Sequence, residues 1–242
     1  MDAVRLVDPT NKPTSFPTSG PCMKALIFDL DGTLVDTVYA HTLAWQRVFA
    51  AAGLDVPAYV IHSRIGMNGN LFVRSALREI GESVSDEQSA AFRKRHGETY
   101  AEILPRRTPL AGAIEILRSL RTANVPHAIA TSGKPSSIKE SLAALEWDNE
   151  TAVVDASGVT QGKPHPETFL TAAEKIDMAP EDCLVVGDSV WDVLAARRAK
   201  MFSAAVLTGG NDRMELIQAG AYRVFRDVGE LHANLDELGF SV

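Results

Sequence analysis

With 242 residues, 45% of them hydrophobic and 23% charged, the chain has material for one large domain or for a core with a smaller companion. Its formal charge of 24 − 31 = −7 and the lack of any long basic run argue against nucleic acid as a partner. No stretch approaches the ~18 consecutive apolar residues of a membrane span, and neither Cys22 nor Cys183 belongs to a CxxC pair, so the setting expected is a reducing, cytoplasmic one.

Residues 1–22 place Pro9, Pro13, Pro17 and Pro21 among Thr, Ser and Asn, which reads as a flexible extension without the apolar core of a secretory signal. The run Ala25-Leu26-Ile27-Phe28 is unbroken and apolar, the pattern of a strand buried on both faces in a parallel sheet. It ends abruptly on Asp29, Leu30, Asp31 and Gly32. From Tyr39 the period changes: Leu43, Trp45, Val48, Phe49 and Ala52 recur at helical spacing until Gly53. A second helix is expected from Pro57 to Ile65-Gly66, then a break over 66–70 rich in Gly and Asn, then helices over 71–80 and 86–103, the last ended by Pro105. Residues 38–105 thus read as an all-helical insertion.

The α/β rhythm resumes beyond it. Pro109 and Gly112 precede a helix to Ala123, and Val125 to Ala130 reads as a strand ending on Thr131-Ser132-Gly133. Pro135 opens a helix to about Leu145, Ala152-Val153-Val154 is a short strand, and Gly162-Lys163-Pro164-His165-Pro166 leads into a helix through Lys175. Cys183 to Gly187 is another buried strand, followed by Asp188 and a helix over 190–200. Phe202 to Leu207 and Tyr222 to Phe225 read as further strands, each with a helix after it. Strands alternating with helices imply an α/β protein with a doubly wound parallel sheet. The expected division is an extension (1–22), a core (23–37 and 106–242) and a helical domain (38–105).

Two carboxylates beside each other at a strand's carboxyl end repel and lose hydration, a placement that serves a cation or a reaction rather than stability. Open α/β sheets bind ligands at that end. Thr131, Ser132 and Gly133 offer a hydroxyl and successive N–H groups near a helix start, either a phosphate seat or an N-cap. Asp188 and Asp192 are four apart and share a face as their helix begins, which suits either Mg²⁺ or the helix dipole.

Asp29-Leu30-Asp31-Gly32-Thr33-Leu34 resembles the first motif of the haloacid dehalogenase superfamily, D-x-D-G-T followed by Leu or Val. Thr131, Lys163 and Gly187-Asp188-Ser189-Val190-Trp191-Asp192 follow in the family's order. The resemblance implies a Rossmann-like core with a helical cap. It also implies that Asp29 is the nucleophile of an aspartyl-phosphate pathway and Asp31 the general acid/base. Thr131, Ser132, Gly133 and Lys163 would hold the phosphate. Mg²⁺ would sit on Asp29, Asp188 and the backbone carbonyl of Asp31, with Asp192 behind it. Dehalogenases and phosphonatases of the family lack the second aspartate, so Asp31 implies phosphoester chemistry. Asp36, Thr37, His41, Ala44 and Trp45 are similar to a stretch of the β-phosphoglucomutases and their sugar-phosphatase relatives, whereas Gly187-Asp188-Ser189 has the phosphatase form. The expectation is a Mg²⁺-dependent phosphatase of a small phosphorylated, sugar-like metabolite, a monomer or weak homo-oligomer, whose cap reads the substrate through His41, Arg64 and Asn68. A phosphosugar mutase and a non-catalytic binding protein of the same fold are the alternatives.

Overall fold

Four side chains without a polar atom begin the fold: β1, Ala25–Phe28, is buried along its whole length. The structure, a computed structural model, describes residues 23–147 and 151–240; the expected extension 1–22 lies outside the described residues. β1 pairs in parallel with β2 (His127–Ala130) on one side. On its other side it pairs in parallel with β4 (Cys183–Gly187). β3 (Ala152–Val154) lies beyond β2, and β5 (Phe202–Val206) and β6 (Arg223–Phe225) lie beyond β4, giving a parallel sheet of order β3-β2-β1-β4-β5-β6. This is the doubly wound α/β sheet read from the sequence.

Alternation along the strands divides the core into two layers. Leu26, Phe28, Leu184 and Val186 face the helices α5 (Ala113–Thr122), α6 (Pro135–Ala144) and, after α9 (Arg213–Ala219), α10 (Val228–Ala233). Ala25, Ile27, Cys183 and Val185 face α7 (Glu167–Lys175) and α8 (Val190–Arg198). After β1 the chain winds outward to β2 and β3, then crosses back to β4 and winds outward the other way. The carboxyl ends of β1, β2 and β4 therefore meet at the topological switch point, where such sheets hold their ligands.

Between β1 and α5 stand four helices: α1 (Val38–Ala51), α2 (Ala58–His62), α3 (Gly69–Glu79) and α4 (Asp86–Ile103). They share a core of their own around Trp45, Phe49, Ile61, Phe72 and Leu77. Trp45 is its centre, stacked on Phe72 at 4.4 Å and on His96 at 4.2 Å between ring centroids. α4 starts where it does because Ser85 and Gln88 cap each other reciprocally.

Several boundaries depart from the sequence reading. β2 begins at His127 because Pro126 has no N–H to give to a ladder. α2 stops at His62, and α3 begins at Gly69, since Asn68 accepts the Asn70 N–H (3.0 Å) as an N-cap. Leu43, placed on the apolar stripe of α1, is 39% exposed; the buried stripe runs through Val38, Thr42, Trp45 and Phe49 instead.

Trp45 joins three aromatic partners, so Trp45→Ala should destabilise the helical bundle by about 3–5 kcal/mol. Urea denaturation followed by circular dichroism measures it. A loss under ~1 kcal/mol would mean the bundle is held elsewhere.

Candidate active site

Each carboxylate reaches the crevice by a simple rule. Asp29 continues the alternation of Ala25 and Ile27 and so leaves β1 on the α7–α8 side, its N–H still donating to Val186 O (2.8 Å). Gly32 then turns the chain with φ +87°, a conformation that side chains rarely adopt, and a Cβ there would stand 2.6 Å from Asp188 Oδ2. The turn lets Asp188 approach from the end of β4, where it accepts a hydrogen bond from Thr33 Oγ1 (3.0 Å).

Lys163 stands where Asp29 points. The lysine has no exposed surface. Its Nζ donates to Asp29 Oδ1 in a short contact, donates to Ala130 O at 3.0 Å and ion-pairs with Asp192 Oδ1 at 2.8 Å. Asp192 Oδ2 accepts from Ser189 N (3.1 Å) and Ser189 Oγ (2.6 Å), which also caps α8. Burial alone would neutralise the ammonium, yet Asp192 and Asp29 hold its pKa above the ordinary lysine value. One cation does not balance the acids around it. Burial, with Asp192 and Asp31 adding repulsion, raises Asp29 from 3.8 to about 7 despite Lys163. Burial and the charges of Asp192 and Asp29 push Asp188 well above the carboxylate range.

Asp31 faces another way. Its Oδ1 accepts from Thr37 Oγ1 at 2.8 Å and lies 3.6 Å from His41 Nε2, while Thr131 Oγ1 stands 3.5 Å from its Oδ2. Burial opposes its ionisation, but the hydrogen bond and charge of His41 and the hydroxyl of Thr37 outweigh that and hold it below the ordinary value. Thr131 Oγ1 accepts from Gly133 N (2.9 Å), and Ser132 Oγ donates to Gly66 O (3.2 Å), tying the end of β2 to the helical bundle. A second tie runs from Asn68 N to Lys163 O at 2.9 Å.

Oxygen atoms of Asp29, Asp188 and Asp192 lie within 4.8 Å of one another, all buried. Hard, all-carboxylate donors with a deficit of positive charge fit Mg²⁺. The Asp31 side chain, expected near that ion only through its backbone, is turned toward Thr37 and His41 and is not in this group.

A cleft of about 950 Å³ opens between sheet and bundle. Asp29, Asp31 and the buried Thr131 are at its floor, Ser132 and Gly133 beside them, and His41 and Asn68 on the bundle side. Arg64, expected to read a ligand there, does not line the cleft. Its guanidinium is consumed within the bundle, donating to Ser75 Oγ (2.9 Å), Val60 O (2.9 Å) and Glu79 (2.8 Å). Asn68 lines the cleft, with its side-chain oxygen engaged as the cap of α3. Sequence reasoning missed Arg93, His96, Tyr100 and Arg107, which line the bundle side. The first three recur at helical spacing, a signal hidden because the stripe is polar.

The family model of haloacid dehalogenase-like hydrolases matches residues 23–200, and the chain belongs to that family. It is similar in structure to a hydrolase from Pseudomonas syringae, with TM-score 0.87 and 41% identity over 90% of this chain and 100% of that one. In sequence it is 32% identical over 197 residues to the β-phosphoglucomutase of Bacillus subtilis, covering 77% of this chain and 84% of the relative. It is 33% identical over 178 residues to a fructose-1-phosphate phosphatase of Escherichia coli, covering 73% and 92%. No helix among the described residues is long and apolar enough to cross a membrane.

The raised Asp29 has a thermodynamic signature. Between 3.8 and about 7 the metal-free native state holds a proton that the unfolded chain has lost, so stability falls as pH rises through that window. With EDTA, Tm should fall on going from pH 5 to 7.5. Mg²⁺ should recover most of the loss at pH 7.5, and Asp29→Asn should flatten the EDTA profile. Differential scanning calorimetry reads all three. An unchanged slope in Asp29→Asn would remove Asp29 from the ionisable cluster.

Proposed function

We propose that the protein is a Mg²⁺-dependent phosphatase that hydrolyses a small, sugar-like phosphomonoester through a phosphoryl group carried on Asp29. The observation that carries this reading is the division of labour between two carboxylates on one cleft floor. Asp29 is braced by the buried Lys163, and Asp31 is held apart from it by Thr37 and His41. The same division appears in how the two groups titrate.

The substrate phosphate would rest on the Thr131 hydroxyl and the N–H groups after β2, with Lys163 neutralising the oxygens. Asp29 and Asp188 would hold Mg²⁺, which when bound keeps both carboxylates ionised and offsets phosphate charge. Asp192, both oxygens engaged by Lys163 and Ser189, would act behind them as the anchor of the lysine. Asp29 then attacks phosphorus as the P–O bond to the leaving group breaks. A phosphate dianion arriving beside Asp31 raises that acid's proton affinity, so Asp31 can bring the proton the leaving alkoxide needs. In the second half it takes a proton from the water that attacks the phosphorus, the bond from phosphorus to the Asp29 oxygen breaks, and inorganic phosphate leaves with Asp29 restored as a carboxylate. The helical bundle, by closing the cleft, would exclude other water.

Hydrolysis is favoured over mutase chemistry by Gly187. A Cβ there would lie 2.4 Å from Asp192 Cβ, so the Glu-Asp pair that the family resemblance gives the mutases at 187–188 does not fit without displacing the anchor of Lys163.

Asp31→Asn should lower kcat by roughly 10²–10⁴-fold for sugar phosphates and much less for p-nitrophenyl phosphate, whose leaving group needs little protonation. Equal losses on both substrates would take Asp31 out of the acid role. Arg64→Ala, in contrast, should leave kcat/KM for any phosphomonoester within about two-fold and cost about 1 kcal/mol in denaturation experiments. A ten-fold selective loss for a large substrate would return Arg64 to the cleft.

A further inference from the structure

The bundle side of the cleft carries two arginines whose buried nitrogens meet no acceptor among the described residues. Arg93 Nε, Arg107 Nε and Arg107 Nη1 are buried and have no hydrogen-bond acceptor. Buried guanidinium nitrogens rarely go unpaired, because each forfeits its water without return. Both residues line the cleft. Neither forms an ion pair among those of the described residues, whereas Arg64 and Arg74 of the same bundle hold Glu79 and Asp86.

Their placement is fixed rather than incidental. Arg93 lies on α4, its stem against Gly69, where an added Cβ would stand 3.0 Å from Arg93 Cδ. Arg107 follows the last turn of α4, its guanidinium 4.5 Å from the centroid of the Tyr100 ring. Tyr100 stacks on His41 at 3.9 Å, and His41 is the partner of Asp31. A line of contacts thus runs from the reactive floor to Arg107. Between the two arginines in sequence, Gly97 interrupts the middle of α4 on the cleft side. Helices disfavour glycine there, and packing does not require it, since a Cβ at Gly97 would meet nothing within 4 Å. The missing side chain leaves room in the cleft.

We propose that Arg93 and Arg107 form a second anion subsite, so that the substrate is a phosphomonoester whose far end carries a carboxylate or a second phosphate. This rests on the phosphatase reading for the near end of the substrate. The forked guanidinium matches either oxyanion, and the contact is worth most where water is excluded. A bare phosphate ester leaves most of a 950 Å³ cleft empty. Lys94 and Lys134 add positive charge at the rim; of the two acids that line the cleft beside them, Glu98 is 4.0 Å from Lys94, and Glu140 is the other.

Three esters with one carbon chain test it: sorbitol 6-phosphate, 6-phosphogluconate and sorbitol 1,6-bisphosphate, neutral, carboxylate and phosphate at the far carbon. Calorimetric titration of the Asp29→Asn protein with Mg²⁺ reads binding without turnover. The two anion-ended esters should bind about ten-fold or more tighter than the neutral one, and their order tells carboxylate from phosphate. Adding Arg93→Gln or Arg107→Gln should shrink that ratio to about two-fold or less, while Arg107→Lys keeps part of it. Equal affinity for all three esters, no binding of any, or an equal weakening of all three by both glutamine variants would overturn the subsite. Phosphate release from the same esters by the wild-type protein is scored separately. Its absence would defeat the phosphatase reading, while the binding ratio would still decide the anion subsite.

Discussion

One ammonium group, on Lys163, has no contact with solvent and lies between Asp29 and Asp192. A lone buried charge of that kind would not survive folding; paired on two sides and bonded to the Ala130 carbonyl, it does. Everything at the sheet's carboxyl edge is arranged around it. β1 delivers one acid, the first turn of α8 the other, and Ser189 fixes the second by capping that helix. Three chain segments far apart in sequence are locked into one geometry. The arrangement leaves Asp29 and Asp188 short of positive charge, and that shortage is what a divalent cation and a phosphoryl group would exploit.

The helical bundle is joined to this edge by a few directed contacts, not by a broad apolar seam. Ser132 donates to Gly66 O, Asn68 N to Lys163 O, Trp191 Nε1 to Ser63 O, and His62 meets Gly209 O. The apolar core of the bundle is largely its own. Few, polar ties between two separately packed bodies are the kind that can break and reform without cost to either core. Asp29 and Asp31 lie on one side of that junction and Arg93 and Arg107 on the other, so a ligand that touched both would hold the two bodies together.

β1 and β4 were legible because each is an unbroken apolar run buried on both faces, and each matched its run residue for residue. Helix starts were less so, since Asn68 as a cap and Asn68 as a turn residue are identical in sequence. The motif acids were legible by resemblance, but no local signal marked Lys163 as buried; its surroundings come from residues 29, 130 and 192. Arg64 was misplaced because nearness in sequence to the 66–70 break does not set side-chain direction, and the guanidinium turns back to Glu79. Arg93 and Arg107 escaped notice for the opposite reason: their significance lies in acceptors they lack, which only packing reveals.

A phosphoryl group carried on the Lys163-braced carboxylate, as proposed, can be trapped chemically. Borohydride added to the protein quenched during turnover of acetyl phosphate with Mg²⁺ reduces an acyl-phosphate aspartate to homoserine, which peptide mass spectrometry locates. Homoserine is expected at position 29 and nowhere else, dependent on substrate. Steady phosphate release with Asp29 unmodified, or homoserine at Asp31 instead, would contradict it.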